Sequence, residues 1–211
     1  MVQYLYPLET LWALTQLSYE ARQAERVAGV AVCHRDDGYA STLVIFEKHR
    51  IAQIKAASGT SANPYRPSLF FLKEGPIISN LLYGEAVDLL FVHGHGICHP
   101  HSYGLATVVG MTHGIPTIGF ARELIKGDYE EIHSGSQNMA CIALKGIIKA
   151  VAITTPRGNK PVYVSQGFGI SLKRTVEEYG TWAIRGRVPE PLRLARMHAR
   201  KYLRKNNGPK T

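Results

Sequence analysis

Between Asp88 and Phe120 the chain passes through a short apolar run (88–92), a glycine- and histidine-rich segment (94–102), a stretch at helical spacing (105–112) and a second apolar run from Pro116. A strand, a loop, a helix and a strand of this length suit a parallel βαβ crossover, because parallel neighbours need a connection of a dozen or more residues. Upstream, the strand-like runs 27–33, 40–46 and 49–56 are joined tightly, the first two through Arg35-Asp36-Asp37-Gly38, and they read as an antiparallel meander. The two patterns together predict a mixed sheet. Further strands are expected at 139–144, 148–154 and 162–165, then a helix capped by Ser171 and running to Trp182. Leu8, Leu11, Trp12, Leu14 and Tyr19 predict an N-terminal amphipathic helix, and Pro76 suits the first turn of a helix reaching about Tyr83. No linker interrupts the series, so residues 1–211 are read as a single α/β domain closed by a basic helix over about 189–205.

Charge narrows the class of partner. The chain carries 25 Lys+Arg against 16 Asp+Glu, a net +9. From Trp182 to Thr211 there are nine Lys+Arg and one acid, Glu190, which leaves only +1 for residues 1–181. On the closing helix Arg193, Arg196, Arg200 and Arg204 are spaced 3, 4 and 4 residues apart, beside an apolar stripe of Leu192, Ala195, Ala199 and Leu203. Such a row can follow a phosphate backbone, with binding that weakens steeply in salt. A solvated helix face is the competing reading. With 45% hydrophobic and 19% charged residues, a disordered chain is excluded. Cys33, Cys98 and Cys141 are odd in number, widely spaced and without a CxxC, which indicates neither a disulfide framework nor a zinc ribbon. The N-terminus lacks a basic region and cleavage site, and no apolar run is long enough to span a bilayer. A cytoplasmic protein with nucleic acid as partner and no membrane association is expected; oligomeric state is not readable.

Six segments then carry a family resemblance: Val27-Ala28-Gly29-Val30, Pro64-Tyr65-Arg66-Pro67, Glu74-Gly75-Pro76, Gly94-His95-Gly96-Ile97-Cys98-His99-Pro100, Pro116-Thr117-Ile118-Gly119 and Val188-Pro189-Glu190-Pro191. In order and approximate spacing the chain resembles endonuclease V. The resemblance implies a ribonuclease H-like fold, a mixed five-stranded sheet flanked by helices. It also implies a repair or RNA-processing nuclease that recognises deoxyinosine or inosine and cuts the second phosphodiester 3′ to it with magnesium. Tyr65, in its proline-stiffened turn, would be the wedge beside a flipped base, with Arg66 adding a phosphate-directed charge. A rigid surface turn is the alternative. Gly94, His95 and Gly96 would belong to the base pocket, with His99 contacting phosphate.

The family's magnesium chemistry needs carboxylates, since this hard cation selects oxygen ligands. Matched position by position, the first aspartate is Ala31 and the second is His93, while the third acid is kept as Glu74. The family's lysine becomes Arg122, and its histidine near the last helix is matched to Phe168. Asp36, in a turn, and Asp88, at the far end of its strand, are the nearby substitutes. Catalytic candidates are therefore Glu74, His93, His99 and Arg122, with Glu74 and His93 as the candidate metal ligands and magnesium expected weak or absent. His93, His95, His99 and His101 lie within nine residues, so a zinc site with Glu74 as oxygen ligand is a second possibility. Three functions stay open: a nucleic-acid-binding relative that has lost the cut, an active 3′ endonuclease with a rearranged metal site, and an interaction protein that keeps only the fold.

Overall fold

The computed structural model describes residues 24–36, 38–60, 69–125, 129–133, 138–155 and 158–206. The expected N-terminal helix and the Pro64-Tyr65-Arg66-Pro67 turn lie outside these residues. Nine strands form one sheet: β1 (Arg26–Arg35), β2 (Gly38–Glu47), β3 (Arg50–Thr60), β4 (Leu89–His93), β5 (Thr117–Ala121), β6 (Tyr129–His133), β7 (Met139–Leu144), β8 (Ile147–Thr155) and β9 (Gly158–Gln166). Their order is β3-β2-β1-β4-β5-β9-β8-β7-β6. The described helices are α1 (Phe70–Leu82), α2 (Leu105–His113), α3 (Leu172–Trp182) and α4 (Glu190–Asn206).

The meander and the crossover fall where the hydrophobic pattern puts them. β1 pairs antiparallel with β2, and β2 with β3. β4 runs parallel to both β1 and β5, with α2 as its crossover. Alternation along the buried strands separates two apolar layers. Val30, Leu43, Ile45 and Leu90 pack under α1 and α2 through Phe71, Ile78, Leu105 and Val109. On the other face Val27, Ala31, Phe46, Phe91 and Phe120 pack with Tyr179 and Trp182 of α3 and Leu192 and Ala195 of α4.

Two family segments meet at Gly29. A Cβ there would lie 2.3 Å from the Pro191 carbonyl carbon and 2.4 Å from the Leu192 nitrogen, so only glycine lets the first turn of α4 rest on β1. This contact brings the arginine-bearing helix onto the sheet.

The sheet corrects the five-stranded expectation: among the described residues it has nine strands. β9 pairs antiparallel with β5, and β8, β7 and β6 continue outward as antiparallel neighbours. They cover what would have been an exposed edge of β5, an arrangement that sheets favour because unpaired edges invite association. Strands β7 to β9 match expected runs; β6, Tyr-Glu-Glu-Ile-His, is too polar to be recognised by pattern. Pro76 is also displaced from its expected place, since α1 begins six residues earlier and holds the proline inside. Burial of Phe71, Ile77, Ile78, Leu81 and Leu82 along one side of α1 outweighs the donor that proline lacks.

Candidate nucleic-acid site at the strand ends

β4 ends beside the middle of β1, which runs on to Arg35. Their parallel register sets Val30 beside Val92, which places Ala31 and His93 next to each other, and His93 is in turn opposite Phe120 of β5. These are the C-terminal ends of parallel strands, where α/β sheets open their ligand crevices. A cavity of about 490 Å³ opens here, lined among others by Phe71, His93, His99, Leu105, Phe120 and Arg122.

The cavity wall is the loop between β4 and α2, and its glycines are dictated by contact. A Cβ on Gly96 would sit 2.0 Å from the Gln166 carbonyl oxygen, and one on Gly119 would sit 2.3 Å from the Gly96 nitrogen. The Gly94-His95-Gly96 segment thus lies directly on β5 and β9. Gly96 N–H donates to Ser165 Oγ at 2.9 Å and Ile97 N–H to the Gln166 carbonyl at 2.8 Å. His95 donates from Nε2 to the Glu123 carbonyl at 2.9 Å, and burial lowers its pKa despite that bond. His99 is buried, 3% exposed, and its Nδ1 accepts the His101 N–H at 3.2 Å. Ser102 takes a left-handed φ of 62°, and its hydroxyl accepts from the buried Lys149 ammonium.

The strand ends carry different chemistry. Ala31, 2% exposed, belongs to the apolar layer beneath α4. Burial first, then the positive charges of Arg196 and Arg122, push His93 down to about 4. A neutral imidazole follows at neutral pH, and its Nε2 accepts an N–H from Arg196 Nη1 at 3.1 Å. Arg196 is itself pulled below its ordinary value by burial and by the guanidinium groups of Arg122 and Arg200. Arg200 reaches the Cys33 thiol, which burial holds above its usual range. Glu74 lies on α1, across the sheet, 4% exposed, and accepts from His34 Nε2 at 2.9 Å. Burial raises its carboxyl, and the His34 hydrogen bond only partly offsets that.

Glu74 and His93 each have a different partner, His34 and Arg196, and the helices that carry Glu74 and Arg196 cover opposite faces of the sheet. A hard cation asks for several oxygen ligands, but the matched positions offer a methyl group, an imidazole held by a guanidinium and one carboxylate held by a histidine. These residues do not fit magnesium. The four histidines are engaged separately: His93 with Arg196, His95 with the Glu123 carbonyl, and His99 with the His101 amide, the rings of His99 and His101 lying 5.7 Å apart. Among the described residues no group of three or more His, Cys, Asp or Glu is positioned to hold an ion.

The remaining expectations divide. Arg122, just beyond β5, and Arg196 lie at the strand ends as phosphate-directed charges could. Arg193 does not: it forms a bidentate pair with Glu190, both contacts at 2.7 Å, so it does not share a free row with Arg200 and Arg204. Phe168 is also misplaced. Its N–H donates to Thr117 Oγ1 at 3.0 Å, at the opposite end of β5 from Phe120, so it does not occupy a site position. Asp36 sits in the β1–β2 turn, and Asp88 accepts the N–H groups of Glu25 and Arg26 at the far end of β4. Sequence reasoning missed His34, forty residues from Glu74, and the pairing of His93 with Arg196, 103 residues apart. No local pattern announces either contact.

The model of the Endonuclease V family matches residues 10–197. Endonuclease V of Methanopyrus kandleri is 34% identical over 183 residues, covering 84% of this chain and 78% of that protein. Among solved structures, endonuclease V from Streptomyces avermitilis superposes with a TM-score of 0.83 at 26% identity, over 95% of this chain and 92% of the other. Endonuclease V of Ciona intestinalis, solved in complex with a 24mer DNA containing an inosine followed by a ribo-adenosine, shares the fold at 19% identity, with a TM-score of 0.79 and 95% of both chains covered. The strand order, the glycine contacts that shape the cavity and these matches lead to one conclusion: the chain belongs to the endonuclease V family.

Proposed function

We propose that this chain is a nucleic-acid-binding endonuclease V that recognises inosine-type, single-stranded or distorted nucleic acid and has lost the family's magnesium-dependent cut. The observation that carries this reading is the contact between His93 and Arg196 beside Ala31, which puts a cation where two carboxylates are expected. Like charges so placed repel a metal ion and attract phosphate. The cavity beside them supports the binding half, with aromatic side chains for a base and glycines that admit close backbone approach. The inosine-containing DNA bound by the Ciona intestinalis relative supports inosine as the base recognised.

Within this reading β3-β2-β1-β4-β5 is a ribonuclease H-like core, residues 1–211 are one domain, Tyr65 is the wedge, and the free cysteines suit a reducing cytoplasm. An active 3′ endonuclease with a rearranged metal site is the second reading. Its support is the buried Glu74 carboxylate, one helical turn from the cavity-lining Phe70 and Phe71. Incubation with inosine-containing single-stranded DNA and RNA under Mg²⁺, Mn²⁺ and Zn²⁺ in turn separates the two. Binding without cleavage is expected; a metal-dependent cut one nucleotide beyond inosine would overturn the loss of catalysis.

A further inference from the structure

Three guanidinium groups lie near the end of β4, where Arg196 meets His93, Arg122 lines the same cavity as His93 and Arg200 reaches Cys33. Arg122 comes from the end of β5, while Arg196 and Arg200 come from successive turns of α4, and each of the outer two is felt electrostatically by Arg196. Among the described residues no carboxylate forms an ion pair with any of them, although Arg193 and Arg174 on the same side of the protein pair with Glu190 and with Glu177 and Glu178. Two of their neighbours are neutral, His93 beside Arg196 and the Cys33 thiol beside Arg200. Charges of one sign gathered in one place repel one another, and an anion between them relieves that repulsion.

The arrangement is built rather than accidental in its geometry. His93 is fixed on β4, and its Nε2 orients the Arg196 guanidinium across the end of the sheet. Ala31 leaves room at the neighbouring position. Guanidinium donors in a planar fork match phosphate oxygens two at a time.

We propose that Arg122, Arg196 and Arg200 form a metal-independent receptor for a phosphate group of nucleic acid, with His93 as the positioning residue that holds Arg196 in place. The receptor stands where the family's cation would otherwise neutralise phosphate, and its location beside the cavity lets one nucleotide place its base in the cavity and a flanking phosphate on the arginines. The source of the phosphate rests on the nucleic-acid-binding reading above; the receptor itself rests on the arginine cluster.

Two probes test it on the full chain. The first is fluorescence anisotropy of a labelled single-stranded DNA carrying one deoxyinosine, in EDTA and in Mg²⁺. The second is thermal unfolding with and without inorganic phosphate. The same affinity is expected in EDTA and Mg²⁺, with a loss of about tenfold in Arg196→Gln and in Arg122→Gln. Phosphate should raise the wild-type Tm and leave the Arg122→Gln/Arg196→Gln double variant unmoved. Arg122 is exposed, so its replacement keeps the test open if Arg196→Gln fails to fold. Binding that disappears in EDTA and returns with Mg²⁺ overturns the proposal. So do variants that match wild type with both probes, in which case nucleic-acid binding survives and only the receptor falls. Phosphate stabilisation through Arg196 without oligonucleotide binding has the reverse meaning: the receptor stands and the nucleic-acid reading fails.

Discussion

At the cavity, backbone rests on backbone: Gly96 lies against the Gln166 carbonyl, and Gly119 lies against Gly96, at separations that no side chain could enter. Towards the ends of β1 and β4, side chains hold one another instead, His93 with Arg196, Glu74 with His34, Arg200 with Cys33. The first kind of contact tolerates almost no substitution, because every residue but glycine adds atoms where there is no room. The second tolerates exchange so long as donors, acceptors and charge are rebalanced. A cavity wall of the first kind is fixed by packing, whereas a side-chain cluster of the second kind is fixed by its donors, acceptors and charges.

The sharpest test of that contrast is Gly96→Ala. Its Cβ would lie 2.0 Å from a backbone oxygen that hydrogen bonds to Ile97 hold in place. Destabilisation of about 3 kcal/mol or more is expected, roughly a 6–12 °C fall in Tm. A variant with wild-type Tm would show that the loop is looser than its packing requires.

The strand ends should respond to pH rather than to volume. His93 titrates at 6.5 in the unfolded chain and at about 4 in the fold, so between those values the unfolded state binds the extra proton. Stability from this group is complete above about 6.5 and is lost as pH falls towards 4, an effect on the order of 3 kcal/mol. Burial sets the direction, and the positive charges of Arg196 and Arg122, with His95, add to it. Urea unfolding of wild type and His93→Gln across this range checks it; parallel curves would remove His93 from the balance.

Glu74 should behave in the opposite sense. Its carboxyl is raised above 4.5, so the folded state keeps a proton that the unfolded state has already released. Its contribution is greatest at acid pH and declines as pH rises through the raised value. Glu74→Gln keeps an acceptor for His34 and loses the buried charge, so a change within about 1 kcal/mol at neutral pH and a flatter pH profile are expected. A large loss at neutral pH would mean that the ionised carboxylate is needed for more than its bond to His34.

How much of this was legible beforehand depended on the range of the interaction. Meander, crossover, α4 and its apolar stripe follow from periodicity and turn chemistry, which act over a few residues. The matching of Ala31 and His93 to the positions where the resemblance implies acids rests on the flanking segments Val27-Ala28-Gly29-Val30 and Gly94-His95-Gly96. The partners were not legible: Glu74 with His34 and His93 with Arg196 are joined by topology, across 40 and 103 residues. Phe168 lies beyond β9, where a Gln-Gly-Phe-Gly turn offers no periodicity by which to fix a position at the site. β6 itself pairs through its backbone, which is why its polar side chains gave no signal.

The arginines of α4 give the finest division between the two regions. Read as a helical row, Arg193, Arg196, Arg200 and Arg204 should act alike, each removing about one unit from the salt slope of nucleic-acid binding when neutralised. Arg193, however, already has both its forks on Glu190, in the first turn of α4 where an acid also complements the helix dipole. Pairing with a phosphate would cost it that bond. Arg193→Gln is accordingly expected to leave the salt slope unchanged and to lower stability by about 1 kcal/mol, a modest loss because the pair is partly exposed. Arg200→Gln should do the reverse, reducing the slope by about one unit with little effect on Tm. Equal slopes for the two variants would mean that α4 presents one undivided stripe, and that the cluster at the strand ends has no special share in binding.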